Sequence, residues 1–368
     1  MGFLKKLFIK FFFLLNFLVA LYALLVFQVA YSADIKHWLG GFLSLTVPIA
    51  FAFNLLFLFF YILSGSWKFL LSLFILIIGY PLLERTLKFS FTKDIPENEK
   101  VISMLSYNVM YMGGGVQSFQ QNPALRGNLA ADIASISAGI KCIQELYNQP
   151  GDKELDLIKR ISQENPYYTY MHSEIDENSK KGSVGLAVFS KYPILRKEEI
   201  SWKINNNGLL MVDIKVDQDT IRVFNIQMKS MGIRVQKALT SNEETRNRET
   251  KNILAQLKSG FEDRVLQVDE LVELIKKSPY PVLLGGDFNE LPYGYAYGRV
   301  RNLLDNSFEE EGFGFGFTYH KLPSFLRIDN LFFDEEKFKV LKFETMRQYK
   351  LSDHYPIRAT YEIVQDFN

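Results

Sequence analysis

The run Gly285, Gly286, Asp287, Phe288, Asn289 follows the apolar residues Pro281 to Leu284 directly. Alternate side chains of an extended segment share a face, so Asp287 and Asn289 leave the end of a buried strand in the same direction. A glycine, Asp, Asn sequence on its own is equally a turn. It has a counterpart, however, in Ser352, Asp353 and His354, with His354 65 residues beyond Asn289. An Asp beside a His supplies a metal ligand and an acid/base. Together the two clusters point to metal-assisted hydrolysis of a phosphoester.

Other residues fit that chemistry. Glu145 ends an apolar run, and a hard divalent cation such as Mg²⁺ takes carboxylate oxygens and water rather than Cys or His. His354 is one of four histidines and the only one flanked by an acidic neighbour and a turn, whereas His37, His172 and His320 read as ordinary structural or surface residues. Arg264 and Gln267 are one helical turn apart and read more readily as a solvated face than as a pair aimed at a site. Phe and Gly alternate from Gly312 to Phe317, either as an aromatic lip over a substrate or, the favoured reading, as rings packed into a core.

The elements that must position these groups begin only after an apolar N-terminus. Of 368 residues, 48% are hydrophobic, and they are unevenly spread. Residues 11–31, 42–65 and 69–83 carry no charge, so three transmembrane helices are expected, with Trp67 and Tyr80 as interfacial anchors of the short third one. Lys5, Lys6 and Lys10 favour a cytoplasmic N-terminus, and three crossings would leave the rest of the chain extracytoplasmic. A cleaved signal peptide ending near Ala33 is the rival reading of the first segment. The lone Cys142 permits no intrachain disulfide.

From residue 94 onward, 34 basic residues face 39 acidic ones, a balance that tilts away from non-specific binding to nucleic acid. Strands are expected at 101–109, 184–189, 209–216, 221–228, 282–284, 328–333 and 355–363. Residues 126–142 read as a helix running into a short strand that ends at Glu145, and Val265, Val268, Leu271, Val272 and Ile275 form a helical stripe. The polar stretch between Lys229 and Gly260 reads as a helical insertion or a mobile loop.

In this order Ser106-Tyr107-Asn108, Gln144-Glu145, the segment from Gly185 to Pro193, Phe224-Asn225, Gly286-Asp287-Phe288-Asn289, Arg327-Ile328-Asp329 and Ser352-Asp353-His354 resemble the endonuclease/exonuclease/phosphatase superfamily. The resemblance covers residues 101–363 and implies an α/β fold, a four-layered α/β sandwich of two mixed β-sheets flanked by helices. It implies Mg²⁺ or Mn²⁺ as cofactor, with Asn108, Glu145 and Asp353 around the metal. Asp287 would orient or deprotonate the attacking water, and Asn289 would stabilise charge on the phosphate. His354, held by Asp329, would act on the phosphate, and Asn225 and Gln227 would contact substrate. Gln227 stands where many members carry a histidine, which puts protonation of the leaving group in question. Asn330 stands where an aromatic often follows the Asp and is expected to touch substrate.

The sequence therefore divides into a membrane region at 1–93 and a catalytic domain at 94–368. The expected activity is a divalent-metal-dependent phosphoesterase of the cell membrane, multi-pass, acting on nucleic acid or a phospholipid head group. The lipid bilayer is its expected partner and no protein partner is predicted. The alternative is a catalytically weak binding or scaffold module that retains the fold. Close carboxylates repel one another unless a cation lies among them, which opposes that alternative.

Overall fold

Along the strand Gly208–Val216, Leu210, Val212 and Ile214 face one way and Leu209 and Met211 the other, and both sets are buried. A strand apolar on both faces needs a layer on each side. The first set packs on Met104, Cys142 and Val188 of a second sheet, and the other on Val268, Leu271 and Val272 of the helix Glu243–Lys276. The second sheet repeats the arrangement: Leu105, Tyr107 and Ile143 turn away from the first sheet toward Leu129, Ala130 and Ile133 of the helix Ala124–Ser135. The order is helix, sheet, sheet, helix, which is the expected four-layered sandwich. In this computed structural model residues 3–91, 100–113, 122, 124–153, 155–172, 182–202, 207–230, 243–321 and 324–364 are described.

Each large sheet has six strands and one parallel pair, so both are mixed. In one, Asp219–Gln227 runs parallel to Val282–Asp287, which pairs antiparallel with Asp329–Phe333. In the other, Val101–Asn108 runs parallel to Ile140–Asn148. Parallel neighbours end on the same side, so both sheets deliver chain ends to one rim. Three longer strands were not anticipated: Tyr167–His172, Ile194–Ser201 and Phe338–Thr345. The polar stretch becomes helical from Glu243, while residues 231–242 lie outside the described part of the chain.

Four helices precede the sandwich: α1 Phe3–Ser32, α2 Trp38–Leu45, α3 Val47–Leu63 and α4 Phe69–Glu84. Pro48 in the first turn of α3 suits a position whose N–H has no helical partner. Among the described residues two stretches are long and apolar enough to cross a bilayer, Lys10–Ser32 and Trp38–Leu63. The expected third is a 16-residue helix, about 24 Å at 1.5 Å per residue against a hydrocarbon core of about 30 Å. The count of span-length helices is thus two rather than three, and the extracytoplasmic placement loses the odd number of crossings it was drawn from. Helices α1, α3 and α4 pack around Ala23, Val26, Ala50 and Ile75, and a Cβ on Gly79 would lie 2.6 Å from the Phe27 ring.

One end of this bundle sits on the sandwich. Arg85, just after α4, donates to the carbonyls of Ala30 (3.3 Å) and Pro292 (3.1 Å). Thr86 bonds the Tyr293 hydroxyl at 2.8 Å, and Lys36 bonds Asp269 at 2.6 Å. The strand Leu87–Phe89 then pairs antiparallel with Phe313–Phe315. At the far end of the bundle, Phe12 of α1 stacks on Phe60 of α3, and the Lys68 ammonium lies over Phe13.

Candidate active site

Strand register alone puts three polar residues in a row. Gln227 is the partner of Asp287 across the parallel pair, and Asp287 is the partner of Asp329 across the antiparallel one. Gly286 makes that approach possible, because its φ of +154° is one L side chains rarely adopt and a Cβ there would lie 2.1 Å from the Ile226 carbonyl oxygen. From the facing sheet Asn108 ends one strand, and beside it Glu145 sits where pairing with Ser183–Ser190 shifts register between Ile143 and Leu146. Glu145 has φ +54° and Asn289 φ +49°. Positive φ in a non-glycine costs of order 1 kcal/mol or more and clusters at functional sites. The bulge re-aims the Glu145 side chain toward the row on the other sheet.

Side-chain amides then knit the carboxylates together. Nδ2 of Asn108 donates to Glu145 at 3.2 Å and to Asp287 at 3.0 Å, while its Oδ1 accepts from Met110 N. Nε2 of Gln227 donates to Glu145 at 2.6 Å. Asn289 gives its backbone N–H to Asp287 at 2.8 Å, and its amide to Asp287 and the Met228 carbonyl, both at 3.0 Å. Asp329 holds Nδ1 of His354 at 2.8 Å, and Asp353 lies 3.9 Å from Nε2. Thus Asn108, Glu145, Gln227, Asp287, Asn289, Asp329, Asp353 and His354 converge.

Asn225 does not join them. It is fully buried between the sheets, accepting from Gln144 and donating to the carbonyls of Ile143 and Ala187. Its amide saturates inward-facing groups rather than meeting an opening. Asn330 is likewise buried, donating to the Ile328 carbonyl instead of facing the site.

The burial that gathers these groups also sets their charges. Burial pushes Glu145 up to about 6 against the pull of His354 and the Asn108 amide. Asp287 is likewise raised, first by burial, with the neighbouring Asp329 and Glu145 adding to it. Burial opposes charge on His354, but Asp329, Asp287 and Asp353 outweigh it and hold the imidazole well above its ordinary range. A protonated His beside a carboxylate near neutrality is an acid next to a base.

The donor set fits a hard divalent cation. Ligand-type atoms of Asp287, Asp329 and His354 lie within 4.8 Å of one another, and with the imidazole protonated the two carboxylates are the donors of that group. Oδ1 of Asp329 is buried without a hydrogen-bond partner among the described residues, a costly state that an added cation would relieve. Glu145 and Asp353 bring further carboxylate oxygens to the same rim.

Several supporting residues carried no signal in the sequence. Oγ1 of Thr318 accepts from the backbone of Ile328 and Asp329, both at 3.1 Å, and the Tyr319 ring meets His354 edge-on at 5.2 Å. Ser352 donates to the Asn108 carbonyl at 2.7 Å, tying the Ser352–His354 turn to the end of the strand Val101–Asn108. Arg264 and Gln267 are buried, not solvated: Arg264 donates to the Lys229 carbonyl, and Gln267 accepts from Lys229 N. Phe313 and Phe315 are exposed rather than packed into the core.

A family model described as the Endonuclease/Exonuclease/phosphatase family matches residues 105–354. A separate one, described as a domain of unknown function (DUF8431), matches residues 9–86. Among solved structures, an endonuclease/exonuclease/phosphatase family protein from Bacteroides thetaiotaomicron is 16% identical, over 73% of this chain and 100% of that one, with a TM-score of 0.50. Truncated TDP2 from Caenorhabditis elegans is 18% identical over 71% and 98% of the two chains, with a TM-score of 0.49. No curated protein matches the chain.

Proposed function

The chain belongs to the endonuclease/exonuclease/phosphatase family, and from that membership we propose that it is a membrane-anchored phosphodiesterase that depends on Mg²⁺ or Mn²⁺. The reading rests on one observation: Asp287 and Asp329, aligned on one sheet, meet Asn108 and Glu145 of the other beside a His354 held by carboxylates. In this reading residues 1–93 are the anchor and 94–368 the catalytic domain.

Glu145 and Asp353 would hold the cation, with Asn108 and Gln227 fixing the Glu145 carboxylate from either side. A bound divalent cation polarises the phosphoryl oxygens and offsets negative charge building on them. Asp287, its carboxylate oriented by the backbone and amide of Asn289, takes the proton of the attacking water. His354, kept protonated by Asp329, donates a hydrogen bond to the phosphate or a proton to the leaving oxygen. That arrangement supplies the acid that Gln227 cannot.

Membrane anchoring is supported by the two span-length helices, two-thirds of whose most apolar windows lie outside the protein interior. Packing also bears on sidedness. α4 returns from the Phe12–Phe60 end of the bundle to the sandwich, so in this reading the 16-residue helix crosses as a third span, with the bilayer thinned around it. A reporter fused after Asn368 should then be active only outside the cytoplasm, and activity inside would overturn this placement.

The catalytic reading predicts that the full-length protein in detergent hydrolyses bis(p-nitrophenyl) phosphate with Mg²⁺ or Mn²⁺ and stops on addition of EDTA. His354→Ala should lower the rate about 10²–10⁴-fold in protein that still folds, as judged by circular dichroism. No metal-dependent turnover on any phosphodiester would leave a binding module with this fold as the surviving description.

A further inference from the structure

A cavity of about 890 Å³ lies away from the carboxylates, between α3, α4 and the sandwich. That is at the upper end of the roughly 300–1,000 Å³ of small-molecule sites. Its walls are almost wholly apolar. Ile49, Leu55 and Ile77 come from the helices, and Leu291, Phe317 and Phe325 from the sandwich. Two further facts fix what could fill it.

At one end the cavity is continuous with the outward surface of the helices: Ile49 is 52% exposed and Ile77 62%, on faces a bilayer would cover. At the other end it reaches the loops that build the catalytic rim. Phe317 lines the cavity, while the next two residues are Thr318, which fixes the Asp329 backbone, and Tyr319, which meets the His354 ring. Arg327, two residues before Asp329, closes that end with a cation buried against the Tyr297 and Phe308 rings.

We propose that this groove seats an acyl chain of a bilayer phospholipid whose phosphodiester lies among Asp287, Asp329 and His354, which makes the substrate a membrane lipid. The inference rests on the phosphodiesterase reading above and adds the substrate class to it. A lipid drawn up to a site beyond the head groups would expose its chains to water, weakening its capture about fourfold for each methylene exposed. An apolar groove that runs from the bilayer-facing helices to Phe317, the neighbour in sequence of Thr318 and Tyr319, covers that chain over most of the way. Nucleic acid has no use for such a surface.

The test uses the full-length protein in phosphatidylcholine/phosphatidylglycerol nanodiscs doped with a phospholipid carrying an acyl-chain diazirine. Photolysis should label Leu291, Phe317 or Phe325, which belong to the sandwich, along with the helices. Label confined to the helices would overturn the groove. In a second arm, Ala52→Trp and Ile77→Trp, which fill the groove, should slow hydrolysis of bilayer phospholipid at least tenfold. They should leave bis(p-nitrophenyl) phosphate turnover unchanged, as should Leu21→Trp on another outward face. Lipid hydrolysis that is absent, or unaffected by the filling substitutions, would overturn the proposal while soluble-diester turnover kept the phosphodiesterase reading intact. Loss of soluble-diester turnover in wild-type protein would instead sink that reading, whatever the labelling shows.

Discussion

His354 is buried, which should make it neutral, and only the carboxylates around it, Asp329 foremost among them, keep it charged. Asp329→Asn keeps the shape and removes the charge, so the imidazole pKa should drop. The alkaline limb of the pH–rate profile should move to lower pH, with kcat down about 10²–10⁴-fold. An unmoved limb would mean that another group supplies the acid. Glu145 titrates in the opposite sense. Its folded pKa, about 6, lies above its unfolded value. The cation-free protein therefore gains stability from protonated Glu145 that is fully present below the unfolded pKa and lost as pH rises through about 6. A divalent cation competes with that same proton. Calorimetric Mg²⁺ affinity should fall by up to about tenfold per pH unit below 6 and level off above it, and a flat response across that range would remove Glu145 from the cation site.

At the scale of elements, the helix Glu243–Lys276 supports the turn after Asp287 through one buried ion pair. Arg264 lies 3.7 Å from Glu290, and its Nε and Nη2 have no hydrogen-bond partner among the described residues. Arg264→Met should destabilise the fold by about 3–5 kcal/mol in denaturant titration, because Glu290 is left charged and unpaired, whereas Arg264→Met with Glu290→Gln should recover most of that. An equal loss in both variants would assign the effect to packing. The sequence hid this pair for a physical reason: Arg264 and Gln267 share a helix with many exposed charges, and spacing along a helix does not say which side a sheet will cover. Strands buried on both faces were legible as apolar runs, Val282–Asp287 and Gly208–Val216 above all. The strand Ile194–Ser201 was not, because it is an edge strand whose alternation carries Arg196, Lys197, Glu198 and Glu199, the residues that protect an open edge. Asp287, Asp329 and His354 could be picked from sequence because strand ends and chain order locate them. The inward turn of Asn225 and the bulge at Glu145 depend on how two sheets face each other, which no single strand encodes.

At the scale of the whole molecule, the N-terminal helices and the sandwich share more than a peptide link. Lys36 reaches Asp269, Thr86 reaches Tyr293, Arg85 reaches Pro292, and Leu87–Phe89 forms a two-stranded ribbon with Phe313–Phe315. All of these lie before Phe91 on one side and after Lys100 on the other. A protease site introduced at residues 92–99 should therefore sever the chain without releasing its halves. After cleavage in detergent the two fragments should co-elute and keep their activity, separating only in denaturant; a sandwich that washes free would mean that the ribbon and its neighbours hold nothing. The two parts would then behave as subunits that happen to be translated together, each completing a surface the other leaves bare.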